Sequence, residues 1–200
     1  LQHFSVKLYV RDEVVSFRVG YSGYQGLVGV EPDLTIFGKI VGGGLPGGAL
    51  GGKSELMDVL DNTEEQTGLN QSGTFAGNHF TLSAGLATLR ALTPEVYSHL
   101  ETLGQHLQKG LLGVFDRVGI NGHVVRSGST VTAYFTDRPV RSWRDTLTAD
   151  TQAFERLVLG LLTKGYYARD RMGFIPSVPM DSTHVDGLIE ATESVLVDKD

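Results

Sequence analysis

From residue 79 onward, apolar side chains recur every three or four positions, whereas before it they come in short runs broken by glycine. The first pattern belongs to helices with one face turned inward, the second to brief strands and turns. Residues 79–92 set Phe80, Leu82, Ala84, Leu86, Ala87 and Leu89 toward one apolar side. Thr93-Pro94 then marks a break, with Thr93 as the cap of the next helix and Pro94 at its first position. Across residues 95–117, Val96, Leu100, Leu103, Leu107, Leu111 and Phe115 predict a long amphipathic helix that links two domains. Beyond it, 124–129 and 131–136 read as a hairpin, 151–164 as a helix, 166–169 as an edge strand and 185–197 as the last helix. Together these make a small α+β unit.

In the earlier part, Lys7-Leu8-Tyr9-Val10-Arg11 is a run of strand formers that delivers Asp12-Glu13 at its end. Pro32-Asp33-Leu34-Thr35-Ile36-Phe37-Gly38 repeats the pattern, and Lys39 stands at its exit. In open α/β sheets ligands bind beyond the carboxyl ends of the strands, so Asp12 and Lys39 are expected to face one crevice.

Composition narrows the function classes. The chain has 200 residues, 40% of them hydrophobic, which allows one large domain or two small ones. A formal charge of -6 gives no long-range attraction for phosphate backbones or anionic lipid, so neither nucleic acid nor membrane is expected as a partner. No apolar run approaches the roughly 18 residues a membrane span needs. The opening residues lack a signal-peptide pattern, and the cytoplasm is the expected location. Cysteine is absent, so covalent chemistry falls to Lys, Ser, Thr, Asp or Glu. The six histidines are scattered without ligand spacing, and no metal site is expected. Trp143, Tyr166 and Tyr167 read as core or interface aromatics.

Lys39 sits in Gly38-Lys39-Ile40-Val41-Gly42-Gly43-Gly44, a glycine-bounded turn where a ligand can approach the main chain closely. A lysine amine attacks aldehydes once its lone pair is free. Taken alone, Lys39 reads as a solvated loop lysine, as most lysines are, and Asp12 as a cap or surface ion-pair partner. The glycines at 42–44 shape the turn. Ser72-Gly73-Thr74-Phe75-Ala76-Gly77-Asn78 enters the helix at residue 79, where free amides and the helix dipole suit a phosphate, or where Ser72 or Asn78 simply caps.

In order along the chain, Asp12-Glu13-Val14, Ser16-Phe17-Arg18, Pro32-Asp33-Leu34-Thr35, Gly38-Lys39, Gly42-Gly43-Gly44-Leu45-Pro46-Gly47-Gly48-Ala49 and Gly73-Thr74-Phe75 with Asn78 resemble the class III aminotransferases. The likeness is nearest to the glutamate-1-semialdehyde aminomutase and β-amino-acid aminotransferase branches. It implies an α/β fold: the second half of a fold type I large domain, followed by a small α+β C-terminal domain. Residues 1–92 would be the cofactor-lysine part, 93–117 the linking helix and 118–200 the small domain. Family members are about twice this length, so the chain is expected to correspond to their C-terminal half, without the N-terminal half that grips the cofactor phosphate.

The resemblance further implies pyridoxal 5'-phosphate as cofactor, carried by Lys39 as a Schiff base, with Asp12 paired to the pyridine nitrogen and Val14 against the ring face. Thr74 would reach the cofactor phosphate of a neighbouring subunit, which makes the expected unit a homodimer. The substrates would be a small amine or amino acid and a keto compound, with Arg18, Arg126 and Arg171 as candidates for holding a carboxylate. Two other readings stay open at this point. One is a truncated scaffold with a weak activity such as ester hydrolysis, using Lys39, Ser127 or Ser129 as nucleophile and His79 or His184 as base. The other is a partner-binding remnant without catalysis.

Overall fold

A computed structural model describes residues 8–9, 19–60, 69, 72–168 and 173–198 of the chain. Its contacts divide the chain into two compact units, Leu1–Pro94 and Glu95–Asp200.

The first unit is built on a three-stranded sheet in the order β1 (Leu8–Tyr9), β2 (Leu34–Gly38), β3 (Gly48–Gly52). β1 runs parallel to β2, with Leu8 opposite Leu34 and Tyr9 opposite Thr35, so both strands have their carboxyl ends at the same sheet edge. β3 runs antiparallel to β2, with Ile36 opposite Leu50 and Gly38 opposite Gly48. A strand of Gly-Ala-Leu-Gly-Gly carries almost no strand propensity, and no strand is expected there from the sequence. It is held instead by its ladder with β2 and by an anchor at its end, where Lys53 N donates to Asp33 O at 3.0 Å. Two short helices, α1 (Gly23–Leu27) and α2 (Ser54–Met57), flank the sheet, and α3 (His79–Ala91) follows.

The side of α3 that packs differs from the one expected. Phe80 is 80% exposed, and Leu82, Leu86 and Leu89 are exposed as well, whereas Gly85 is buried. Thr81, Ala84 and Thr88, on the same side as Gly85, are half-buried. Small residues line the packed face because the main chain of the neighbouring turn comes too near for anything larger. Val19 is the one buried hydrophobic side chain among the described residues of this unit.

The second unit follows its hydrophobic pattern closely. The long helix α4 (Pro94–Val118) begins at Pro94, whose missing amide costs nothing at a helix start. It buries Leu100, Leu103, Leu107, Leu111, Val114 and Phe115 in one stripe and packs within this unit. Against that stripe lie the hairpin β4 (His123–Ser127) and β5 (Thr130–Tyr134), and the helices α6 (Thr151–Thr163) and α7 (Ser182–Val197). The short α5 (Trp143–Thr146) precedes α6. Full burial of each such leucine contributes about 1.5–3 kcal/mol relative to exposure, so this stripe is a large part of the core of the unit.

One expectation fails here. Residues 166–168 form no strand, and Arg169 lies outside the described residues. The Tyr166 amide is used to close α6: it donates to Leu161 O, and Gly165 N to Leu162 O, around Gly165 at φ +85°. The hairpin edge expected for that strand is bridged instead by Phe174, which exchanges two main-chain hydrogen bonds with Val131. Trp143, expected in a core or interface, is 75% exposed in this chain and so is not part of its core.

Among the described residues, no helix is long and apolar enough to cross a membrane.

Candidate active site

β2 ends at Gly38 in an extended conformation, and Lys39 opens a 3-10 turn over Lys39–Gly42. Lys39 has φ +50°, the one non-glycine residue with positive φ among the described residues. An L side chain in this left-handed region costs about 1–2 kcal/mol, and such strain persists only where surrounding packing imposes it. The turn closes with Gly43 N donating to Ile40 O at 3.0 Å, Gly43 itself being left-handed at φ +61°, and Leu45 N donating to Gly42 O at 3.1 Å. Lys39 is exposed and borders an open cavity of about 530 Å³, together with Ile40, Gly44, Leu45, Pro46 and Gly47.

α3 holds this turn in place. A Cβ placed on Gly85 would collide with the Val41 carbonyl oxygen, and one on Gly43 with the Ala84 carbonyl. Main chain therefore meets main chain. One helical turn earlier, Thr81 Oγ1 donates to Pro46 O at 3.3 Å.

Thr74 lies at the start of the turn that feeds α3, and its side chain is exposed. Ala76 N donates to Gly73 O and Asn78 N to Phe75 O, so the segment is a compact chain reversal. Asn78 is the helix cap: its side-chain oxygen accepts from Phe80 N at 3.0 Å and Thr81 N at 3.1 Å. Two of the amides expected to be free for a phosphate are thus already used.

Lys39 and Thr74 both belong to the first unit, one beside the middle of α3 and the other before its start. Asp12, Val14, Arg18 and Arg171 lie outside the described residues. Arg126 is occupied: Nη1 is paired with Glu101 and donates to Gly128 O at 2.7 Å, and Nε donates to Gln108 Oε1. That set ties β4 to α4 and gives no sign of a free carboxylate clamp. Ser129 is buried, and its main chain packs against Gly104 of α4, so the segment around Ser127 is a hairpin corner. His184 is engaged with Asp181 in the cap of α7. Gly43 and Gly85 were not recognised as contact partners from sequence, although a glycine inside the helical pattern at 85 was the available signal.

The model of a known family, described as aminotransferase class-III, matches residues 7–196. The chain belongs to the class III aminotransferase family. It is similar to a glutamate-1-semialdehyde 2,1-aminomutase of Clostridium perfringens (strain 13 / Type A), 39% identical over 193 residues, which covers 94% of this chain and 45% of that protein. Among solved structures it superposes on an omega-transaminase from Sphaerobacter thermophilus with TM-score 0.87 and 37% identity, covering 93% of this chain and 43% of the other. A glutamate-1-semialdehyde-aminomutase from Pseudomonas aeruginosa PAO1, solved in complex with PMP, gives TM-score 0.81 and 25% identity over 92% of this chain and 43% of that one. The architecture is that of fold type I aminotransferases. The chain spans a little under half the length of these relatives.

Proposed function

We propose that this class III aminotransferase chain serves pyridoxal-phosphate-dependent amino-group transfer, as an aminotransferase or an aminomutase, with Lys39 as the lysine that bonds the cofactor. The observation that carries the reading is an exposed lysine in a strained left-handed conformation at the exit of β2, beside an open cavity, in a chain of this family. The residues present fit the group: Lys39 has open space in front of it and Thr74 offers an exposed hydroxyl. When bound, pyridoxal phosphate supplies an aldehyde for amine exchange and a ring that delocalises the charge left by proton removal.

Lys39 Nζ would hold that aldehyde carbon until a substrate amine replaces it, and would then accept and return the proton at the substrate carbon. By resemblance, Asp12 would keep the pyridine nitrogen protonated, Val14 would support the ring and Thr74 would hold the cofactor phosphate of a second copy. The homodimer this requires agrees with the exposed apolar residues around α3, among them Phe75, Phe80 and Leu82. Substrates of this class are small amines or amino acids and keto compounds, handled in the cytoplasm.

The test is to add pyridoxal phosphate to the purified chain, reduce with borohydride and map the modified peptide by mass spectrometry. The expected result is an adduct on Lys39 that is lost in Lys39→Ala. An unlabelled Lys39 in the wild-type chain rejects the reading.

A further inference from the structure

Where the Lys39 turn meets α3, two stretches of main chain touch with no side chain between them. At Gly85 a Cβ would meet the Val41 carbonyl oxygen, and at Gly43 it would meet the Ala84 carbonyl and, at 2.7 Å, Gly85 N. Main-chain atoms cannot rotate aside as a side-chain end can, so either methyl group would have to push the turn and the helix apart. Glycine also weakens the middle of a helix, and α3 carries one at the point of contact. The second tie, Thr81 Oγ1 to Pro46 O, lies on the same face one turn away, and Thr81 also fills the space beside Gly47. α3 is in turn fixed at its start by the Asn78 cap.

Lys39 is the first residue of the four-residue turn whose third and fourth residues, Val41 and Gly42, face Gly85. Its left-handed conformation is unfavourable for a lysine and relaxes unless the turn is clamped. We infer that Gly85 is a positioning residue: by admitting the backbone of the turn into contact with α3, it holds Lys39 left-handed and so fixes the direction in which Nζ meets a cofactor aldehyde. The inference rests on the reading of Lys39 given above.

Gly85→Ala separates this role from simple helix stability, because alanine favours the helix while its methyl group opens the contact. The experiment traps pyridoxal phosphate with borohydride and reads the ratio of adduct at Lys39 to adduct at Lys53, together with the pH midpoint of the adduct's visible absorbance before reduction. Wild type is expected to favour Lys39. Gly85→Ala is expected to lower the ratio by roughly tenfold or more, since small misplacement of a reacting group is costly, and to move the pH midpoint. Its far-ultraviolet circular dichroism should remain that of wild type. Ala87→Gly, which loosens α3 at an exposed position, should keep both the ratio and the midpoint.

Thr81→Val removes the second tie without adding bulk, and a smaller loss of the same sign is expected; it decides the matter alone should Gly85→Ala yield no folded chain. Wild-type ratio and midpoint in both variants, or an equal loss in Ala87→Gly, overturns the inference. A wild-type chain without preference for Lys39 removes the cofactor reading itself, and this inference with it.

Discussion

Lys53 Nζ lies 2.6 Å from an Asp33 carboxylate oxygen, while the Lys53 amide donates to the Asp33 carbonyl, so one residue pair closes the end of β3 onto the approach to β2. The hydrogen bond that Lys53 donates to Asp33, and the charge of that carboxylate, raise the Lys53 ammonium above the ordinary lysine range. A smaller share of Lys53 is then neutral at a given pH, and its amine is the poorer nucleophile. Asp33→Asn is expected to speed labelling of Lys53 by an amine-selective reagent near pH 9, counted by peptide mass spectrometry. An unchanged rate would mean that the pair does not form in solution.

Asn78 holds two of the first amides of α3. Asn78→Ala should cost about 1 kcal/mol, within the range of lost helix caps. Hydrogen exchange provides the check: the Phe80 and Thr81 amides should lose protection before those in the middle of α3.

Leu111 is fully buried and Leu86 is 50% exposed. Leu111→Ala should destabilise the second unit by about 2–5 kcal/mol through lost transfer energy and an unfilled cavity. Leu86→Ala should change stability by no more than about 0.5 kcal/mol at concentrations where the chain is monomeric. Urea unfolding followed by circular dichroism measures both, and equal effects would contradict the packing described for α3.

The second unit should weaken in acid. The Thr183 hydroxyl, then His184, hold the Asp181 carboxyl well below the usual carboxylate range, and the Arg141 and Ser142 amides lower Asp145. Arg117, bonded to Glu193 through two nitrogens at 2.7 Å, lowers Glu193. Each folded-state value lies below its unfolded value, so the stabilisation is present at neutral pH and is lost as pH falls through the folded values. Urea midpoints should therefore drop from about pH 4 downward, and less steeply in Asp181→Asn. A midpoint independent of pH down to about 2 would show that these bonds add nothing to folding.

The second unit was legible because its leucines bury at helical spacing: Leu100, Leu103, Leu107 and Leu111 were expected inside and are inside. β2 with Lys39 at its exit was equally readable, since a glycine stop after strand formers is a local signal. β3 was not, because its glycines are held by pairing rather than by propensity. The packed face of α3 was misread for a related reason: periodicity reports which side is apolar, and here the contact is made by the side that is small. Tyr166 looked like strand from its neighbours, but its amide was already needed to end α6. Of the candidate site, the family could be read from residues in order, and so could the place of Lys39 at a strand exit, whereas the contact through Gly43 and Gly85 depends on a spatial approach that no local pattern encodes.

A joint made of main chain has no rotamers. The contact between Gly85 and the turn after Lys39 cannot be loosened by degrees through a change of side chain, as a leucine core can; any added atom must be met by movement of a whole segment. Substitution on the outward side of α3, at the exposed Leu82, Leu86 and Leu89, leaves that joint untouched, whereas one at Gly43 or Gly85 does not.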